Sequence, residues 1–106
     1  MSRGLSELGA LVAQVSDMYA ERNDIARDDD WYLLKLQEEL GELTAEYLKG
    51  TGRGRMKGAD APDIRLALED EAADVLAMLL LFAQNNRIDL DAALERKWFK
   101  HLPQPR

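Results

Sequence analysis

A chain of 106 residues has room for one domain and one core. It contains no cysteine and one histidine, which excludes disulfides, thiolate metal sites, a cysteine nucleophile and any multi-histidine centre within one chain. With 14 basic and 20 acidic residues the net charge is −6, which disfavours a duplex-DNA binder, because that affinity comes mainly from neutralising phosphates with Lys and Arg. A nucleotide stays compatible, since a divalent cation can bring the missing positive charge. Residues 1–20 carry Arg3, Glu7 and Asp17 and so lack the apolar stretch of an export signal. The longest apolar run, 75–83, falls well short of the ~18 residues needed to span a bilayer. The expectation is a cytoplasmic protein with no membrane contact.

Helical periodicity runs through the chain. Leu5, Leu8, Leu11/Val12, Val15 and Met18/Tyr19 predict a first helix from about Ser2 or Leu5 to Glu21. Asp28-Asp29-Asp30 is a helix start, and Leu33, Leu36, Leu40, Leu43 and Tyr47 mark the apolar face of a second helix ending near Lys49-Gly50. Residues 50–58 hold four glycines, two arginines and a lysine, a basic loop. Asp60 as cap, Pro62 in the first turn and Asp63 beside it open a third helix that reaches Asn85-Asn86. A fourth opens at Asp89 and carries Leu90, Leu94 and Trp98, and Pro103 and Pro105 end regular structure. The fold expected is all-α, a four-helix-bundle-like single domain over 1–106. Val75 to Phe82 is apolar almost all round, and three other short helices leave part of it uncovered, so the bundle is expected to be completed by a homo-oligomer.

Some carboxylates do not belong to a solvated face. With Ile64 set at zero, Leu68, Val75, Met78 and Phe82 fall at ~40°, ~20°, ~320° and ~0° around the third helix. Glu71 at ~340° and Asp74 at ~280° lie in or beside that arc, whereas Glu69 and Asp70 lie farther round. On the second helix Glu39 flanks the apolar stripe and Glu42 points farther out, at the same i, i+3 spacing. Burying an unpaired carboxylate costs several kcal/mol, and two so spaced repel each other. Four carboxylates without His or Cys suit a hard cation, Mg²⁺ or Mn²⁺, and a solvated acidic face is the alternative.

The basic loop has two readings of the same kind. Lys49, Arg53, Arg55 and Lys57 among glycines can wrap a polyphosphate or simply keep a connector soluble. Trp31, Tyr32, Tyr47 and Trp98 can stack on a base or pack in a core. His101 sits in a basic tail with Arg96, Lys97 and Lys100, which complements a helix C-terminus.

The run Lys35-Leu36-Gln37-Glu38-Glu39-Leu40-Gly41-Glu42-Leu43, followed by Glu71-Ala72-Ala73-Asp74-Val75-Leu76, resembles the MazG-like all-α nucleoside triphosphate pyrophosphatases. Their signature is E-E-x-x-E followed by E-x-x-D on the next long helix. The stretch from Arg87 to Lys97 is similar to the family's downstream segment, so the resemblance spans about 31–97. It implies a dimeric or tetrameric helical bundle that hydrolyses a nucleoside triphosphate to the monophosphate and pyrophosphate with Mg²⁺. Carried over by position, Glu39, Glu42, Glu71 and Asp74 become metal ligands, Glu38 the general base and Lys97 a phosphate contact. Trp98, Phe99, Lys100 and His101 stand where many relatives have an Asn and an Arg, a departure in the substrate-binding tail. Arg53 and Arg55 are further candidates to meet charge on the leaving pyrophosphate. Phosphoribosyl-ATP pyrophosphohydrolase activity and a non-catalytic helical oligomer that binds nucleotides or partners are the alternatives.

Overall fold

Three aspartates set where helices begin. In the computed structural model, which describes residues 4–54 and 60–103, Asp28 accepts the Trp31 N–H at 2.8 Å, Asp60 that of Asp63 at 3.0 Å and Asp89 that of Ala92 at 3.0 Å. Each side chain satisfies an amide that the first helical turn leaves without a partner. The helices that follow are α2 (Asp29–Gly50), α3 (Ala61–Asn85) and α4 (Leu90–Lys97), preceded by α1 (Leu5–Asn23). Asp24, in left-handed backbone at φ 53°, closes α1. Trp98, expected to continue α4, instead leads into a 3₁₀ turn over Phe99–His101. Ser2, Arg55 and Lys57 lie outside the described residues. The described residues are thus all-α, with no strand, and no helix among them is long and apolar enough to cross a membrane.

The α2 and α3 helices form an antiparallel hairpin that carries most of the tertiary packing, and α1 lies against α3. Asn85 at the end of α3 donates to Asp29 at the start of α2 at 3.1 Å, tying the open end of the hairpin. At the loop end, Gly54 lets the chain fold back on α2: a Cβ there would meet the Lys49 backbone nitrogen at 2.9 Å. Ile64, Leu80, Leu81, Ala83 and Ala20 are the buried apolar residues among those described. That core is small. The radius of gyration is 16.8 Å, against about 13 Å for a compact domain of this length.

α1 buries its small residues most deeply. Gly9 and Ala20 are buried, and Leu5, Leu8, Val12, Ala13 and Ser16 are half-buried. Small residues let two helix backbones approach closely. Leu11, Val15, Met18 and Tyr19 are left 40%, 66%, 59% and 59% exposed. On α3, Leu76 and Leu79 of the apolar run likewise remain exposed, as expected of a helix that one chain cannot cover.

Gly9 tests the tight α1–α3 contact. An added Cβ would lie 2.7 Å from Nε2 of Gln84, the movable end of an exposed side chain. Gly9→Ala should stay within about 1 kcal/mol of wild type, because the gain in helix propensity offsets the displaced amide. Gly9→Leu should lose about 2 kcal/mol through overpacking. Urea unfolding followed by circular dichroism distinguishes the two.

Candidate metal centre

The register of the hairpin brings the carboxylate pairs together. Asp29 pairs with Asn85 at one end, and at the other a Cβ on Gly50 would sit 3.7 Å from Cγ2 of Ile64. The two pairs of residue numbers add to the same total, so 39–43 on α2 lies level with 71–75 on α3. Both i, i+3 carboxylate pairs therefore reach the same height in the hairpin. One oxygen from each of Glu39, Glu42 and Glu71 lies within 4.8 Å of the others. Oε2 of Glu39 and Oε2 of Glu71 are buried without a hydrogen-bond partner. Glu42 and Asp74 are exposed, so the cluster opens to solvent on their side.

Burial pushes the Glu39 carboxyl up to about 7, with the adjoining Glu42 carboxyl, the Asp74 charge and Glu71 adding to the rise. Glu71 is pushed up as well, first by burial and then by the charge on Glu42, while a hydrogen bond with Glu39 works in the opposite direction. Burial and mutual repulsion thus both act against the ionised cluster. An all-oxygen donor set with two unpartnered buried oxygens fits a hard divalent cation, which would satisfy both oxygens and cancel the repulsion.

The other candidate residues spread over the fold. Asp74 acts electrostatically on Glu39 and Glu71, but its oxygens lie outside the group of three. Glu38 is on the outer side of α2, where its Oε2 accepts from Lys35 Nζ at 3.0 Å. Arg53 donates to Thr51 at 3.0 Å and stacks over the Tyr47 ring, with the guanidinium carbon 5.9 Å from the ring centroid. Arg55 lies outside the described residues. Lys97 is the exposed last residue of α4, a helix that packs mainly on the 3₁₀ turn after it.

Two features were not anticipated. Lys35 is held above its ordinary value chiefly by its bond to Glu38, with the Glu39 and Glu42 charges contributing, so a cation stands within electrostatic reach of the cluster. Its spacing ahead of Glu38 and Glu39, at i+3 and i+4, was a usable signal. The second is a cavity of about 330 Å³ near the loop end of the hairpin, lined by Tyr47, Thr51, Ile64, Arg65 and Leu68 among others. No carboxylate of the cluster lines it; Leu68, one helical turn before Glu71, is its lining residue nearest to them along α3. Comparison of the chain with protein-family models, curated proteins and solved structures finds no match.

The raised carboxyls make metal-free stability depend on pH. Because the folded value of Glu39, about 7, lies above its ordinary 4.5, the folded state holds the proton more tightly. Stability should therefore fall as pH rises through that window and level off above it. Melting curves in chelator should show this slope, and Mg²⁺ should remove it by binding the folded state. Glu71→Gln should raise the metal-free melting temperature at pH 8 by roughly 5 °C, the shift that about 1 kcal/mol makes in a domain of this size.

Proposed function

We propose that the chain is a divalent-cation-dependent nucleoside triphosphate pyrophosphohydrolase of the MazG-like kind, working as a homodimer or homotetramer. The observation that carries this is the pair of buried, unpartnered oxygens of Glu39 and Glu71, within 4.8 Å of a Glu42 oxygen on the solvent-facing side. Two orphaned carboxylate oxygens in a packed seam are costly unless a ligand uses them. Glu39, Glu42 and Glu71 would hold the ion, with Asp74 one turn along α3 reinforcing the negative field. Mg²⁺ or Mn²⁺ supplies neutralising charge to the phosphates and makes a water more acidic.

The chain's own groups account for the remaining needs of the reaction. The ion pair with Lys35 engages Oε2 of Glu38, leaving Oε1 to take the proton of an attacking water. That water forms a new bond to phosphorus as the α–β anhydride bond breaks and pyrophosphate departs. Arg53, Arg55 and Lys97 are the candidate cations for charge developing on the leaving group; Arg53 stands at the loop end of the hairpin and Lys97 beyond its other end, so within one chain only one of these two can serve. The cavity beside Tyr47 would receive the base, with the ring and Arg65 at its rim.

Pyrophosphate release from ribo-, deoxy- and modified nucleoside triphosphates and from phosphoribosyl-ATP, with and without Mg²⁺, tests the proposal. Metal-dependent turnover is expected, and Glu42→Ala and Glu71→Ala should each lower kcat by at least about 100-fold. Turnover confined to phosphoribosyl-ATP would reassign the substrate. Absence of both turnover and metal-dependent nucleotide binding would leave a helical interaction protein. Tyr47→Ala should raise KM about tenfold with little change in kcat, the loss of one stacking contact.

A further inference from the structure

The proposed centre is short of positive charge where a phosphate must bind. Three level carboxylates and one divalent ion leave it net negative, and the Asp74 charge adds to that field. A triphosphate brings further negative charge, so a cation of the chain is needed close by. The basic loop does not form a cradle in its described part. The amides of Thr51, Gly52, Arg53 and Gly54 donate to the carbonyls of Tyr47, Leu48 and Lys49 at 2.8–3.3 Å, which leaves none of the four for a phosphate. The Arg53 guanidinium is held on Thr51 and Tyr47, and Lys49 pairs with Glu46 at 2.8 Å beside the loop-end cavity. Arg65 pairs with Glu69 at 3.2 Å, on another side of α3 from Glu71.

Lys35 is placed differently. Glu38, Glu39 and Glu42 all fall within ~60° of it around the axis of α2. Helical side chains lean toward the N-terminus of their helix, but the 3.0 Å bond from Lys35 Nζ to Glu38 Oε2 draws this one toward the carboxylates. Its ammonium therefore stands at the height of Glu38, one residue short of Glu39 and about a turn short of Glu42. After the Glu38 bond, the charges on Glu39 and Glu42 also act on it. Lys35 is half-buried, and Glu38 takes one of its three donors, so two are left. We infer that Lys35 donates one of these to a non-bridging phosphate oxygen of the substrate while keeping its bond to Glu38, so that a single ammonium joins the phosphate to the base. The inference rests on the metal-dependent reading above and adds the residue that sets the distance from base to phosphorus.

Two binding measurements of opposite sign test it, made by calorimetry on the full chain with inorganic tripolyphosphate as the probe. Lys35→Gln should bind Mg²⁺ alone about threefold more tightly, because a repelling cation has gone. With Mg²⁺ saturating, the same variant should bind tripolyphosphate about tenfold more weakly, and Lys35→Arg should recover most of that loss. Arg22→Gln, which removes an equal charge from the last turn of α1, should change neither. In turnover, Lys35→Gln should lower kcat as well as raise KM, because Glu38 loses its anchor; a rise in KM alone would overturn the bridge to the base. Undiminished tripolyphosphate affinity in Lys35→Gln would overturn the inference, and so would weaker Mg²⁺ binding, the mark of a disturbed helix. Wild-type protein that binds no Mg²⁺ would overturn the metal centre and this contact together. Wild-type protein that binds Mg²⁺ and tripolyphosphate but hydrolyses no nucleotide would overturn the hydrolase alone, and loss of tripolyphosphate by Lys35→Gln would still sustain the phosphate contact.

Discussion

The repulsion among Glu39, Glu42 and Glu71 is the constraint around which the hairpin is organised. Nothing in local helix formation requires it. α2 and α3 are each well formed from their caps onward, and sliding one helix against the other by a turn would separate the carboxylates. The register is marked at both ends, by Asn85 on Asp29 and by Gly50 level with Ile64, and the packing of α2 on α3 between them holds it. Favourable packing along the seam therefore keeps like charges together at its middle. A structure of this kind stores its repulsion where a cation can relieve it, which is the physical content of the proposed metal centre.

The helix boundaries were legible because they rest on local chemistry. Asp28, Asp60 and Asp89 cap in the structure as their spacing requires, and the ends of α2 and α3 fall where Gly50 and Asn85 put them. Glu71 was legible too, since its place on the apolar arc of α3 follows from 100° per residue. Glu42 was harder: its angle on α2 points it outward, and it joins the cluster by reaching across from an exposed position. The Tyr47–Arg53 stack and the cavity beside it were not legible, because they depend on how the chain returns after Thr51. Which side of α1 packs was likewise not legible: periodicity reports which residues are apolar, but α3 selects the side on which it can come close, and there Gly9 and Ala20 are buried beside half-buried Leu5, Val12, Ala13 and Ser16.

α3 is the common wall of both halves of the molecule. Ile64, Glu71 and Phe82 lie near one line along it, toward α2, while Leu80 and Gln84, which adjoin α1 near Gly9, lie ~160° and ~200° round from Ile64. Two neighbours account for part of the apolar run 75–82, with Leu80, Leu81 and Phe82 buried or half-buried between them, while Leu76 and Leu79 stay exposed.

That arrangement separates the candidate chemistry from α1. The carboxylates face α2 across one side of α3, and α1 packs on another. Five buried apolar residues among those described offer little to set against the repulsion of three level carboxylates, so the stability of the hairpin depends on whatever neutralises the cluster, protonation of Glu39 included.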